Sequence, residues 1–319
     1  MKWSPDAIGS QAGRTIIVTG ANAGIGFETA KVLAAKSATV FLACRNPANA
    51  AQAVERIKAL NRDARVEARV LDLASLASIR SFAAEFAAAN ERLDVLINNA
   101  GVMTPPLGRT ADGFETQFGT NFIGHFLLTM LLLPCLNRTP KSRVVTLSSV
   151  SHWVGEIDFN NLNAEKGYSK FGAYAQSKLA NLIFVYELQR RLDESGAATI
   201  STGAHPGVTA SELSRHNVIL GVVQRAIAQP TIQGAMPSLR AAMDPTARGG
   251  DYYGPGGVLT LTLFGGARKQ TSSSRSRDKD IAARLWSEAE GLCGQRYPTL
   301  QIPISATQRS QRSGTSSPA

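Results

Sequence analysis

The chain is poor in cysteine, in acidic groups and in long apolar runs. Of 319 residues only 3 are cysteine (Cys44, Cys135 and Cys293), and no two are close in sequence. That excludes a disulfide scaffold and a CxxC metal site, and it suits a reducing compartment. Asp and Glu number 24 against 34 Lys and Arg, which gives a net charge of +10 and a pI near 9.8. Such an excess invites polyanion binding. Its location argues otherwise, because residues 267–319 carry nine basic groups and four acidic ones, about half of the excess. That stretch has no aromatic interleaving and no recognisable nucleic-acid module, so no nucleic-acid partner is expected. The most apolar run, Phe122 to Leu136, is broken by Gly124, His125, Thr129 and Pro134. It is too short to span a bilayer comfortably and reads as a buried helix. Met1 to Arg14 hold no apolar core of a signal peptide. The expectation is a soluble cytoplasmic protein with no membrane anchor. A hydrophobic share of 44% excludes whole-chain disorder, and no repeat suggests a solenoid.

What the chain does have is alternation. Short β-branched or apolar runs read as strands at Thr15 to Thr19, Thr39 to Ala43, Val66 to Leu71, Leu93 to Ile97, Arg143 to Leu147 and Thr199 to Gly203. Helical patterns lie between them, at 26–36, 48–60, 75–89, 114–136 and 173–195. Near-continuous apolar strands alternating with helices predict an α/β protein: a doubly wound parallel sheet, the Rossmann fold, as a single domain. The division expected is a lead at 1–13, the Rossmann domain at 14–265, a C-terminal extension with a helix at 266–304, and a disordered Ser/Thr/Gln/Arg-rich tail at 305–319.

The first strand runs into Thr19-Gly20-Ala21-Asn22-Ala23-Gly24-Ile25-Gly26 and then a helix. Glycines let the backbone turn sharply and approach a pyrophosphate, and the helix N-terminus offers free N–H groups. Any tight strand–helix turn uses glycine, but strand before and helix after supply the context for a nucleotide. The second strand ends on Arg45. A carboxylate there would accept from a ribose 2′-hydroxyl, whereas arginine attracts a 2′-phosphate. Arg45 thus favours NADP(H) over NAD(H); the bland alternative is a solvated surface arginine. Tyr174 and Lys178 form a YxxxK pair, which a helix places on one face. An ammonium beside a phenol lowers the phenol pKa and prepares it for proton exchange with a carbonyl or alcohol. Ser148-Ser149 closes the fifth strand, Asn98-Asn99-Ala100-Gly101 closes the fourth, and Asn121 falls early in the following helix. All lie where open α/β sheets bind ligands.

From about residue 13 to 265 the chain resembles the short-chain dehydrogenase/reductase family in its TGxxxGxG turn, NNAG run and YxxxK pair. The resemblance implies Tyr174 as general acid/base and Lys178 as its electrostatic partner and holder of the nicotinamide ribose. It implies that Ser149 stabilises the substrate oxygen, with Ser148 an open alternative, and that Asn121 holds a water in a proton relay. Gly20, Asn22, Gly24, Ile25, Gly26, Asp72, Leu73, Asn99, Ala100 and Gly101 are implied cofactor contacts, with Asp72 beside the adenine. His205-Pro206-Gly207-Val208-Thr209-Ala210-Ser211 is similar to the PGxVxT segment at the nicotinamide carboxamide, bringing in Pro206, Gly207, Thr209 and Ser211. Thr209 departs from the usual Val and Ser211 from the usual Thr. His205 reads as structural.

Local runs look like the retinol-dehydrogenase-like branch: Ala43-Cys44-Arg45, Ser148 to His152, Tyr174 to Asn181, His205-Pro206-Gly207, Gly250 to Pro255 and Leu285-Trp286. That branch implies apolar carbonyl or alcohol substrates and NADP(H). The substrate region is expected at 150–172 and 209–235, where Leu213, Val218, Ile219, Leu220, Val222 and Val223 suit either an apolar lid or a helix packing on the core. His152 and Trp153 suit either the entrance or plain packing. The two long helices resemble those that pair subunits in the family, so a homodimer or homotetramer is expected. A non-catalytic NADP-binding regulator on the same fold is the alternative function, though such proteins usually lose the Tyr or the Lys. An extended-family epimerase or dehydratase is disfavoured by the turn spacing and the NNAG run.

Overall fold

The structure is a computed structural model, and it describes residues 3–207, 230–256 and 266–298. Eight strands form one sheet in the order β3-β2-β1-β4-β5-β6-β7-β8. They are β1 Thr15–Thr19, β2 Thr39–Cys44, β3 Arg65–Val70, β4 Val95–Asn98, β5 Arg143–Leu147, β6 Ile200–Ala204, β7 Tyr252–Gly256 and β8 Gly266–Lys269. All neighbours are parallel except β7 and β8. The chain moves outward from β1 to β3 and then crosses back to place β4 on the other side of β1. That reversal opens a crevice beyond the carboxyl ends of β1 and β4, where a doubly wound sheet binds its ligand.

Helices cover both faces. α1 Gly24–Ala35, α2 Pro47–Leu60 and α6 Thr231–Met243 pack on one side. α3 Leu76–Ala89, α4 Thr116–Arg138, α5 Lys170–Glu194 and α7 Lys279–Cys293 pack on the other. β1 shows why both sides are needed: Ile16 and Val18 feed one core, Ile17 the other, and all three are fully buried. Caps set several helix starts. The side chains of Asn46, Ser75 and Ser169 accept from the backbone N–H of Asn49, Ser78 and Gly172. Ser169 therefore starts α5 three residues before the predicted boundary.

Two features differ from the sequence expectation. The helix predicted as continuous over 114–136 starts at Thr116 and widens into a π-turn at Gly119–Ile123 before running on as α-helix to Arg138. A π-turn shifts the helical phase by about one residue, but residues 117–133 are almost all buried, so there is no one-sided apolar stripe for the shift to break. The sheet also continues past β6. Tyr252–Gly256 carries two glycines and Pro255, a poor strand by composition. It is held as a strand because Tyr252 and Tyr253 pair with β6 while Gly254 to Gly256 pair with β8.

The segment read as an extension from residue 266 thus supplies the edge strand β8 and helix α7 to the same body. Trp286 of α7 packs between Phe126 of α4 and Phe184 of α5, with ring centroids at 4.9 and 5.8 Å. Any pairing of copies through these faces of the two long helices would have to displace α7. Helix α4 is also the one described helix long and apolar enough to cross a membrane, and 83% of its most apolar window is buried inside the fold. Thr209, Ser211, the apolar cluster at 213–223 and the tail at 305–319 lie outside the described residues.

Candidate active site

The crevice at the strand reversal holds a cleft with two connected lobes of about 480 and 340 Å³. Gly20, Asn22, Arg45, Ala100, Gly101 and Val102 border both lobes. The larger lobe adds Gly24, Ile25, Gly26, Asn99, Tyr174, Lys178 and Pro206, and the smaller adds Asp72 and Leu73. The sequence-predicted cofactor residues inside the described part are thus gathered along one surface, apart from Gly207, which follows Pro206 with a left-handed φ of 70°.

The glycine turn is shaped for close approach. Gly20 and Gly24 have φ of 65° and 60°, where a side chain would strain the backbone. A Cβ on Gly26 would lie 2.5 Å from both Asn99 Nδ2 and Gly20 O. Asn99 Nδ2 also donates to Thr19 O at 2.8 Å, so the end of β4 braces the turn. The open N-terminus of α1 then faces a groove with a bare backbone floor. These residues fit the pyrophosphate of a dinucleotide. The smaller lobe has one carboxylate lining residue, Asp72, whose Oδ1 accepts from the Ala74 N–H. Arg45 is exposed at the junction of the lobes.

At the inner end Tyr174 and Lys178 lie one turn apart on α5, both buried, with Lys178 Nζ 5.8 Å from the tyrosine ring centroid. Lys178 Nζ donates to Leu147 O at 3.1 Å. Burial pushes the lysine down to about 8. Burial also pushes the Tyr174 phenol up, and the hydrogen bond from Ser149 works the other way. The net direction for the phenol is upward, opposite to the expectation that Lys178 lowers it, since helical spacing predicts proximity but not desolvation.

The two serines have different employment. Ser148 Oγ donates to the backbone O of Lys178 at 2.7 Å and so braces the helix. Ser149 Oγ accepts from Ser151 N at 3.2 Å and donates to Ser151 Oγ at 3.3 Å, and it is the serine close enough to the Tyr174 hydroxyl to work against the rise that burial causes. Asn121 lies in the π-turn, and its side-chain amide makes three hydrogen bonds. Its Oδ1 accepts from Val102 N at 2.8 Å, and its Nδ2 donates to Val102 O and to Ser177 Oγ. The side chain thus ties α4 to the floor of the cleft and to α5.

Around this centre, His205 packs edge-on to Gly254, where a Cβ would lie 1.9 Å from Nε2. Burial pushes it down to about 3, which suits the structural reading. His152 is buried: Nδ1 donates to Ser149 O at 2.6 Å and Nε2 accepts from Ser273 N at 3.3 Å. Trp153 is half exposed. Sequence reasoning missed Val102 and Met103 on the cleft wall, and Thr19, His125 and Ser177 behind it. The four-residue step from Asn121 to His125, which sets both on one helix face, was the available signal.

Comparison with known proteins agrees with this geometry. The profile of the short chain dehydrogenase family matches residues 14–218. Human retinol dehydrogenase 12 is 42% identical over 288 residues, spanning 89% of this chain and 88% of its own length. Human retinol dehydrogenase 13 is 41% identical over 301 residues, spanning 91% and 87%. The crystal structure of an uncharacterised protein from Mycobacterium paratuberculosis superposes with a TM-score of 0.78 at 39% identity, covering 93% of this chain and all of that one. An NADP complex of RhlG from Pseudomonas aeruginosa superposes at 0.60 with 25% identity, covering 76% and 94%.

Proposed function

The chain belongs to the short chain dehydrogenase family, and from that membership we propose an NADP(H)-dependent oxidoreductase that interconverts an apolar aldehyde or ketone and its alcohol. The observation that carries the proposal is that Tyr174 and Lys178 line the same cleft as the glycine turn, with Ser148 on its wall and Ser149 next along the chain, close to the Tyr174 side chain.

A dinucleotide held along Gly20, Asn22, Gly26 and Arg45 would supply the hydride to the carbonyl carbon, or accept it in the reverse direction. The chain's own residues manage the oxygen and its proton. Ser149 donates a hydrogen bond to the substrate oxygen and so favours the charge that develops there. The Tyr174 hydroxyl gives its proton to that oxygen in reduction and takes it back in oxidation. Lys178, buried and with no ion-pair partner among the described residues, places a positive charge beside the phenol as the proton leaves. Arg45, with no carboxylate at the end of its strand, supports NADP(H) through the 2′-phosphate. Similarity to retinol dehydrogenases supports an apolar substrate, as do the exposed Trp153, Val154 and Phe171 in the segments flanking Ser149 and Tyr174. The presence of both Tyr174 and Lys178 counts against a non-catalytic regulator.

The test is turnover by the purified protein of a panel of aromatic, aliphatic and polyene aldehydes and ketones with NADPH or NADH. NADPH oxidation with an apolar carbonyl compound is expected, and it should be lost in Tyr174→Phe with NADPH binding kept. Binding without turnover across the panel would favour the regulator. Full activity in Tyr174→Phe would remove the assigned mechanism.

A further inference from the structure

His125 is a fully enclosed histidine to which the proposed reaction assigns no role. It lies four residues after Asn121 on α4 and is 1% exposed. Its Nε2 is 2.9 Å from Thr19 Oγ1, and its Nδ1 is 2.9 Å from the backbone O of Asn121.

The proton positions follow from the neighbours. Thr19 Oγ1 receives the backbone N–H of Asn99 and of Ala100, each at 2.9 Å. An N–H only donates, so these two bonds occupy both lone pairs of the hydroxyl. The hydroxyl proton must then be given away, and the near acceptor is His125 Nε2; the other, Ile97 O, is at 3.4 Å. With Nε2 accepting, the ring proton is on Nδ1 and is donated to Asn121 O. An imidazolium would turn an N–H toward an oxygen with no lone pair left. Burial and the nearby charge of Lys178 push the ring down to about 4, in the same direction.

The bonds therefore form one directed chain. The end of β4 that lines the cleft is held by Thr19, and Thr19 by His125. His125 holds the carbonyl of the π-turn residue Asn121. The Asn121 amide donates to Ser177 Oγ at 2.9 Å, and Ser177 Oγ donates to the Tyr174 backbone O at 2.8 Å. One end of the chain is the cofactor floor and the other is the helix turn that carries the proton donor. Hydride transfer is sensitive to the spacing of those two surfaces. We propose that His125 is a positioning residue, which fixes the cofactor floor at Asn99 and Ala100 relative to the catalytic turn of α5 through its two ring nitrogens. The proposal rests on the functional reading above.

The two nitrogens can be tested separately. In His125→Gln the longer amide retains a polar partner at the Nε2 position facing Thr19 but loses the donor to Asn121. In His125→Asn the shorter amide retains a donor at the Nδ1 position and loses the partner of Thr19. NADPH affinity is read by fluorescence titration, kcat and KM with a carbonyl compound that the wild type reduces, and Tm by thermal melting. A crossed pattern is expected. His125→Gln keeps NADPH affinity within about twofold and loses about tenfold or more in kcat at unchanged substrate KM. His125→Asn weakens NADPH about tenfold and loses less in kcat. Folded variants with wild-type kcat and NADPH affinity overturn the proposal. So do variants that lower Tm alike while both leave kcat and affinity unchanged, the mark of a purely structural residue. If the wild type binds NADPH but reduces nothing in the panel, the binding arm decides: equal affinities in the two variants refute the proposal. Wild-type protein that binds neither NADPH nor NADH overturns the functional reading itself, and this proposal with it.

Discussion

Lys178 should destabilise the protein that it equips. The residue is 4% exposed, its ammonium has no carboxylate partner among the described residues, and Nζ donates to Leu147 O. Burial lowers it from the ordinary 10.5 to about 8. At ~1.4 kcal/mol per tenfold change, holding the charged form at neutral pH costs about 3 kcal/mol. Lys178→Met removes that cost and retains most of the apolar stem. It also removes the bond to Leu147 O, worth about 1 kcal/mol, without orphaning that oxygen, because Asn181 Nδ2 donates to it at 3.0 Å. The net expectation at pH 7 is a gain of about 2 kcal/mol, or, for a chain of 319 residues, a rise in Tm of roughly 3 °C. The pH dependence fixes the cause. Between pH 8 and 10.5 the unfolded lysine is protonated and the folded one is not, so wild-type stability rises with pH across that window. The advantage of Lys178→Met should be full below pH 8 and fade as pH approaches 10.5. Thermal melts of both proteins without dinucleotide, from pH 6 to 10, measure it; bound ligand would shift Tm by mass action. A variant less stable at pH 7, or an advantage independent of pH, refutes the reasoning. The same variant should lose turnover, since the phenol loses its neighbouring charge.

Gly26→Ala places a methyl group 2.5 Å from Asn99 Nδ2 and Gly20 O, so NADPH binding should weaken at least tenfold by titration; unchanged affinity would mean that the cradle is not the binding surface. Arg45→Asp should weaken NADPH far more than NADH, as measured by the ratio of their dissociation constants, because a carboxylate repels the 2′-phosphate and can accept from a 2′-hydroxyl. Trp286→Ala removes the ring between Phe126 and Phe184 and should cost about 3–5 kcal/mol in urea unfolding. A loss under 1 kcal/mol would show that α7 does not seal this face.

The legible parts of this protein are those in which function constrains a short stretch of chain. The turn from Thr19 to Gly26 needs glycine at φ of 65° and 60°, so the residues announce the geometry. Tyr174 and Lys178 are four apart because one helix face must carry both. The doubly wound architecture followed from alternation, since apolar strands buried on two sides leave few other arrangements. The illegible parts depend on what a segment meets far away. β7 is a strand because β6 and β8 flank it, against its own composition. The apolar stripe of α7 is readable as a stripe, but that it lies on α4 and α5 is a property of the folded body. Electrostatics divides along the same line. Spacing brought the ammonium to the phenol, whereas the direction of their titration is set by depth, and depth comes from the packing of α5 against β5 and the π-turn. His125 joins both classes: its four-residue step from Asn121 is local, but its meaning comes from Thr19, 106 residues earlier in the chain. A sequence pattern therefore finds the groups that do chemistry sooner than the groups that hold them at the right distance, because the holders are chosen by contacts the pattern does not contain.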